Sequence, residues 1–155
     1  MAIEILPLEE IKERIGQEIG KSPWVLIDQE RINQFAECTG DHQWIHVDEE
    51  KAAAGPFGKT IGHGFLTISM IPKLSEDTSV APEGTMMAIN YGMDKVRLLN
   101  PVIVGSKIRS NISLGSVTDK GGGRILISTV HSIEIEGQEK PACVAETLTM
   151  FFTQQ

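Results

Sequence analysis

Ile61-Gly62-His63-Gly64-Phe65-Leu66-Thr67-Ile68-Ser69-Met70-Ile71-Pro72-Lys73-Leu74 is the stretch on which the fold turns. From His63 to Leu74 it has the length of a helix, and Phe65, Leu66, Ile68, Met70, Ile71 and Leu74 cover most of its sides. A helix that is apolar nearly all round is a buried one. Pro72 is expected to distort or end its last turn, because proline lacks an N–H and its ring crowds the turn before it.

From Thr85 onward the apolar period changes to two. Met87, Ile89, Tyr91 and Met93 alternate in one predicted strand, and Val102, Val104, Ile108, Ile112 and Leu114 mark the next. After a turn at Asp119-Lys120-Gly121-Gly122-Gly123 come Ile125, Ile127, Thr129, His131, Ile133 and Ile135, and a last strand runs from Cys143 to Phe152. This is the pattern of an antiparallel meander with one buried face. That face must lie on something, and the 63–74 helix is the partner available. The expected fold class is therefore α+β, a single hot-dog domain over residues 1–155 with an antiparallel β-sheet wrapped around a long central helix. Edge strands and flat helix contacts in such a fold lead us to expect a homodimer.

Upstream of the helix the pattern is helical and loop-rich. Leu8, Ile11, Ile15 and Ile19 form a stripe of helical spacing, and Pro23 to Ile27 reads as extended. Asp28 is an N-cap for a helix through Glu37 with Ile32, Phe35 and Ala36 inward, and Gly40 ends it. Residues 41–47 then read as a loop, and Asp48 caps a short helix from Glu49 to Ala54.

The bulk composition narrows the function classes. The chain has 155 residues, a formal net charge of −7 and no run of Lys or Arg, which argues against non-specific nucleic-acid binding. Cys38 and Cys143 lie far apart without CxxC spacing and read as buried thiols in a reducing compartment. Met1-Ala2-Ile3-Glu4 does not have the character of a leader, and no stretch has the length of a transmembrane span. The expected setting is cytoplasmic, with no membrane or nucleic-acid partner.

Two local motifs carry chemistry. In Thr39-Gly40-Asp41-His42-Gln43-Trp44-Ile45-His46 a carboxylate and an imidazole stand close enough along a loop to converge on one water. A neutral imidazole can take a proton near pH 7, and a carboxylate can orient a water or return a proton. At Gly62 and Gly64 the helix mouth lacks side chains, so its unpaired N–H groups could meet a developing oxyanion. A structural reading competes with each. In that reading Asp41 opens an Asx-turn with His46 on the surface, and the glycines serve close packing. A metal set of Asp41, His42, His46 and Asp48 fits poorly, because the spacing of His42 and His46 brings ligands together on a helix and not in a loop.

Phe35-x-x-x-Thr39-Gly40-Asp41-x-x-x-x-His46, followed by His63-Gly64, resembles the MaoC-like, (R)-specific enoyl-CoA hydratase (hydratase 2) family of hot-dog proteins. The family pattern is Gly-Asp-x-Asn-Pro-x-His with a later His-Gly. The likeness covers nearly the whole chain, including Tyr91-Gly92 to Arg97 and Pro101-Val102. Gln43 and Trp44 stand where Asn and Pro are commoner, as in a subgroup resembling nodulation protein N-like dehydratases. The resemblance implies reversible syn hydration of a trans-2-enoyl-CoA, or of the corresponding acyl-carrier-protein thioester, to an (R)-3-hydroxyacyl product within fatty acid metabolism. It implies Asp41 and His46 as the catalytic pair, the Gly64 N–H in the oxyanion hole, and Gly62, His63 and Gln43 around the substrate. No cofactor and no metal are expected. Alternatives are a hot-dog acyl-CoA thioesterase, in which water attacks the carbonyl, and a module that binds an acyl thioester without turnover.

The remaining residues have plainer readings. His131 lies on the apolar phase of its strand and reads as a packed histidine. Arg97, Lys107 and Arg109 read as solvated cations, Trp24 and Tyr91 as core or acyl-tunnel lining, and His42 as an exposed loop residue.

Overall fold

The computed structural model describes residues 3–154. Met1 and Ala2, within the stretch read above as lacking a leader, lie outside the described residues, as does Gln155. The chain opens with β1 (Glu4–Leu6), α1 (Leu8–Glu13), β2 (Glu18–Lys21), β3 (Val25–Leu26), α2 (Gln29–Thr39), α3 (Trp44–Val47) and α4 (Glu49–Ala53). The buried segment follows as α5 (Gly64–Ser69) and α6 (Ile71–Ser75), then β4 (Val80–Pro82). Four long strands complete it: β5 (Thr85–Leu98), β6 (Lys107–Gly121), β7 (Arg124–Ile135) and β8 (Cys143–Thr153).

The main sheet has six strands in the order β2-β6-β7-β8-β5, with β3 also paired to β6. All of these pairings are antiparallel, and β1 and β4 form a separate parallel pair. The inner face of the sheet closes on the helical segment, which is the hot-dog arrangement. Leu66, Met70, Ile71 and Leu74 meet Ile108, Ile133, Ile135, Cys143 and Ala145 in one buried cluster. Each fully buried aliphatic side chain of this kind contributes about 1.5–3 kcal/mol. A second cluster under α1 joins Leu6, Ile11 and Val80 to Leu114, Ile125 and Ile127.

Several expectations are corrected. The long central helix is two short ones meeting at Met70, because Pro72 sits in the first turn of α6 and has no N–H to continue the ladder. The Leu8–Ile19 helix stops at Glu13. Gly16 adopts φ +84° and donates to Leu114 O at 2.8 Å, after which Ile19 runs in β2. The 41–47 loop contains the helical turn α3. Met87, Ile89, Tyr91 and Met93 are exposed, since β5 is an edge strand paired only to β8. Tyr91 is thus not core, and Cys38 is exposed, while Cys143 is buried as read. Asp28 does cap α2, accepting from the Arg31 N–H at 2.9 Å. Trp24 lies under the Arg109 guanidinium, 4.3 Å from ring centre to Cζ.

His131 is buried, as its phase implied, and its Nδ1 lies 3.0 Å from Ser110 Oγ. The Ser110 N–H in turn donates to Ser22 Oγ at 2.8 Å, so this polar chain ties β7 to β6 and to the segment between β2 and β3. Burial pushes the His131 pKa down from 6.5 to about 4. The unfolded chain takes up this proton first, so the stability that the neutral ring permits is full above about pH 6.5 and falls as the pH drops toward 4. The loss expected from this group is about 3 kcal/mol. Urea unfolding between pH 7.5 and 4.5 should show it as a slope that His131→Gln flattens, and equal slopes in the two proteins would contradict the assignment.

Candidate active site

α2 ends at Gly40, which takes the left-handed φ of +84° and donates to Ala36 O at 2.9 Å. The chain turns at once. Asp41 Oδ1 accepts from the Gln43 N–H at 3.3 Å, the Asx-turn anticipated above, and Gln43 O accepts from the His46 N–H at 3.0 Å to start α3. This places His46 inward and buried instead of on the surface.

His46 Nδ1 donates to Ile61 O at 2.7 Å. A carbonyl oxygen only accepts, so the ring proton sits on Nδ1 and the Nε2 lone pair is left free. The Ile61 N–H returns a bond to Ile45 O at 3.0 Å, which binds α3 to the segment ahead of α5. His63 Nε2 donates to Asp41 O at 3.0 Å, and its ring stacks on that of His46 with centroids 3.8 Å apart and planes 22° apart. Phe35 packs on His63 at 4.9 Å. One ligating atom from each of Asp41, His46 and His63 lies within 4.8 Å of the others.

Burial is the main cause that lowers the His46 pKa below its ordinary 6.5. The Ile61 carbonyl bond opposes it, His63 adds to it, and the Asp41 charge opposes it. The ring is neutral near pH 7, the state in which Nε2 can accept a proton.

Among the glycines, Gly62 donates its N–H to Val102 O at 2.7 Å. Gly64 is the first residue of α5, and the earliest bonds of that helix come from the Leu66 and Thr67 N–H groups to His63 O, at 3.0 and 3.2 Å. The Gly64 N–H therefore precedes the helical ladder. A Cβ built on Gly64 would lie 2.4 Å from Leu98 Cδ1, so β5 runs directly beside it.

The structure brings Asp41, His46 and His63 together at this end of α5, whereas Gln43 is exposed and contributes backbone bonds only. The metal set weighed from sequence does not assemble. His42 is exposed beside Glu37 at 3.2 Å, and the Asp48 carboxylate caps α4 by accepting from the Lys51 N–H at 2.9 Å. The cluster that does form offers two imidazoles and a carboxylate, a donor set that could also take a metal ion. Sequence reasoning missed its supports. The Gln29 amide donates to His46 O at 2.8 Å and accepts from the Thr60 hydroxyl, pinning α3 to α2 and to the segment before α5. No motif marked Gln29, whose only signal is its place directly after the Asp28 cap.

A six-stranded antiparallel sheet closed on a buried helical segment, with an Asp-His pair at the mouth of that segment, defines a hot-dog protein with a candidate acid–base site. Residues 10–135 match the family model described as the MaoC like domain, and the chain belongs to that family. It is 50% identical over 136 residues to the 3-hydroxyacyl-thioester dehydratase Z of Mycobacterium tuberculosis, covering 88% of this chain and 89% of the relative. It is 40% identical over 154 residues to Nodulation protein N of Rhizobium leguminosarum bv. viciae, covering 94% and 91%. The fold matches the unliganded R-hydratase PhaJ1 from Pseudomonas aeruginosa with a TM-score of 0.74 at 22% identity, over 98% of this chain and 89% of that one. The family is thus one of hot-dog hydratases and dehydratases, which are hydro-lyases.

The electrostatics can be checked directly. In an NMR titration the His46 ring should protonate below the free-imidazole value. Asp41→Asn should lower that midpoint further, and His63→Ala should raise it. Opposite shifts would contradict the cluster.

Proposed function

We propose that this chain catalyses the reversible syn hydration of trans-2-enoyl thioesters to (R)-3-hydroxyacyl thioesters, on CoA or on acyl-carrier protein. The observation that carries this reading is the close approach of Asp41, His46 and His63, with His46 Nε2 left free by the bond from Nδ1 to Ile61. A water shared by the Asp41 carboxylate and Nε2 is the nucleophile. Its oxygen adds to the β-carbon while Nε2 takes one proton, and the electron pair moves through the enoyl system to the thioester oxygen. The Gly64 N–H stabilises that oxygen as charge develops, and loss of such a donor typically costs about 2.7–4 kcal/mol in the transition state. The same acid–base pair returns a proton to the α-carbon on the face where water added, which gives the syn outcome. His63 orients Asp41 through the backbone bond to Asp41 O. Gly62 shapes the entry to α5 and Gln43 shapes the turn beneath the substrate. Dehydration, the reverse direction, is the activity named for the mycobacterial relative.

The working unit is a cytoplasmic homodimer. β5 is an unpaired edge on which Met86, Met87, Ile89, Tyr91 and Leu98 are exposed, and Phe65 stands 72% exposed beside Gly64. A long apolar edge of this kind is normally covered, and a second copy would also shelter the reacting carbons from bulk water.

Addition of crotonyl-CoA should bleach the absorbance of the conjugated enoyl thioester, with an (R) product on chiral analysis and no free thiol. Asp41→Asn and His46→Ala should each lower kcat by about 10²–10⁴-fold while circular dichroism stays unchanged. Wild-type rates in both variants would overturn these roles, and release of thiol would favour thioester hydrolysis. Sedimentation should give a dimer that Ile89→Lys weakens, and a monomeric wild type would contradict the assembly.

A further inference from the structure

A cavity of about 600 Å³ lies away from the acid–base cluster, between α5–α6 and the inner face of the sheet. Ligand pockets typically hold about 300–1,000 Å³, so this one takes far more than a four-carbon tail. Both elements that flank Gly64 run into it. On the helical side the lining begins at Ile68, about 6 Å along the axis from Gly64, and continues through Pro72 to Ser75. On the strand side Leu98 touches the Gly64 position, and Met93, Asn90 and Ala88 of the same β5 line the cavity. A thioester whose carbonyl meets the Gly64 N–H can therefore send its tail between α5 and β5 into this space.

The lining is unusual for a plain hydrocarbon chain. Interspersed among its aliphatic residues are Ser69, Ser75, Asn90, Thr129, His131 and Thr149, yet no Asp, Glu, Lys or Arg contributes. His131 is 1% exposed and engages Ser110 through Nδ1 alone, so Nε2 has no partner among the described residues. Thr78 also lines the cavity, and its Oγ1 is buried without a hydrogen-bond partner among the described residues. Buried polar atoms are normally paired, and an unpaired one such as Thr78 Oγ1 is costly. Thr78 Oγ1 and the His131 ring, both in the lining, suit a ligand that brings a hydrogen-bonding group to them. With no charged residue in the lining and a ring kept neutral by burial, that group is uncharged.

Resting on the hydratase reading, we infer that the preferred substrates carry a neutral oxygen function, a hydroxyl or a ketone, on the distal acyl tail, and that His131 Nε2 recognises it. His131 is then a specificity residue remote from the reacting carbons. A carboxylate-ended tail is disfavoured, because nothing in the lining compensates its charge.

The test needs no turnover. Calorimetry would measure the Kd of saturated acyl-CoAs of one medium chain length, either plain or bearing a hydroxyl or ketone at successive tail carbons. At least one oxygenated position should bind about tenfold tighter than the plain chain, as expected for one added hydrogen bond. His131→Leu should erase that preference, and His131→Gln, which keeps a polar group, should restore part of it. Should His131→Leu fail to fold, the wild-type series together with His131→Gln still decides. A plain chain that binds as tightly at every position, or a preference that survives in His131→Leu, would overturn the inference. Hydration of crotonyl-CoA and of a medium-chain trans-2-enoyl-CoA by the wild type reads the hydratase assignment separately. Intact hydration without a tail preference sinks this inference alone, and a tail preference without hydration sinks the hydratase reading alone.

Discussion

The buried bond from His46 Nδ1 to the Ile61 carbonyl, 2.7 Å long, joins two parts of the chain and sets the geometry of the site between them. On one side is a four-residue helical turn that could not persist alone, because helices this short are unstable without tertiary support. On the other is the segment that enters the buried helix. The bond fixes the imidazole tautomer, sets which nitrogen is available for chemistry, and holds Asp41 and Gly64 at a common corner. Its return partner, Ile61 N–H to Ile45 O, and the Gln29 amide on His46 O make the same junction rigid from two more directions.

The fold is arranged around that corner. Pro72 divides the buried segment into α5 and α6, and the first residue of α5 sits where the chain is free of a side chain. The sheet supplies the wall behind it: Ile108, Ile133 and Cys143 are fully buried under the helices. β5 ends beside Gly64 at Leu98. Its Ala88 and Asn90 line the cavity, while Met87, Ile89 and Tyr91 are exposed. The Gly64 contact, the cavity lining and the exposed apolar edge thus share one strand, and changes along β5 should couple them.

Much of this was legible in the residues. The change of period after Thr85 announced the sheet, the all-round apolar stretch announced the buried segment, and Asp28 and Asp48 announced two helix starts that the structure places at those caps. Asp41 and His46 were legible as a pair through the resemblance, while the residues alone left open the Asx-turn that Asp41 also makes. What escaped was non-local. Ile15 and Ile19 keep helical spacing, but Gly16 can take a left-handed turn and β6 offers a ladder, so pairing overrides periodicity. The β5 alternation looks like a buried strand because period shows a face, not whether anything covers it. His63 gave a motif but not its stacking on His46, and Gln29 gave no signal, since its partners are 17 and 31 residues away.

A crystal structure of the Asp41→Asn protein with an enoyl thioester bound would test the arrangement most directly. The thioester oxygen should lie about 3 Å from the Gly64 nitrogen, with an ordered water bonded to His46 Nε2 and facing the β-carbon. A carbonyl turned away from α5, or a His46 ring whose Nε2 faces protein instead of that water, would contradict the account.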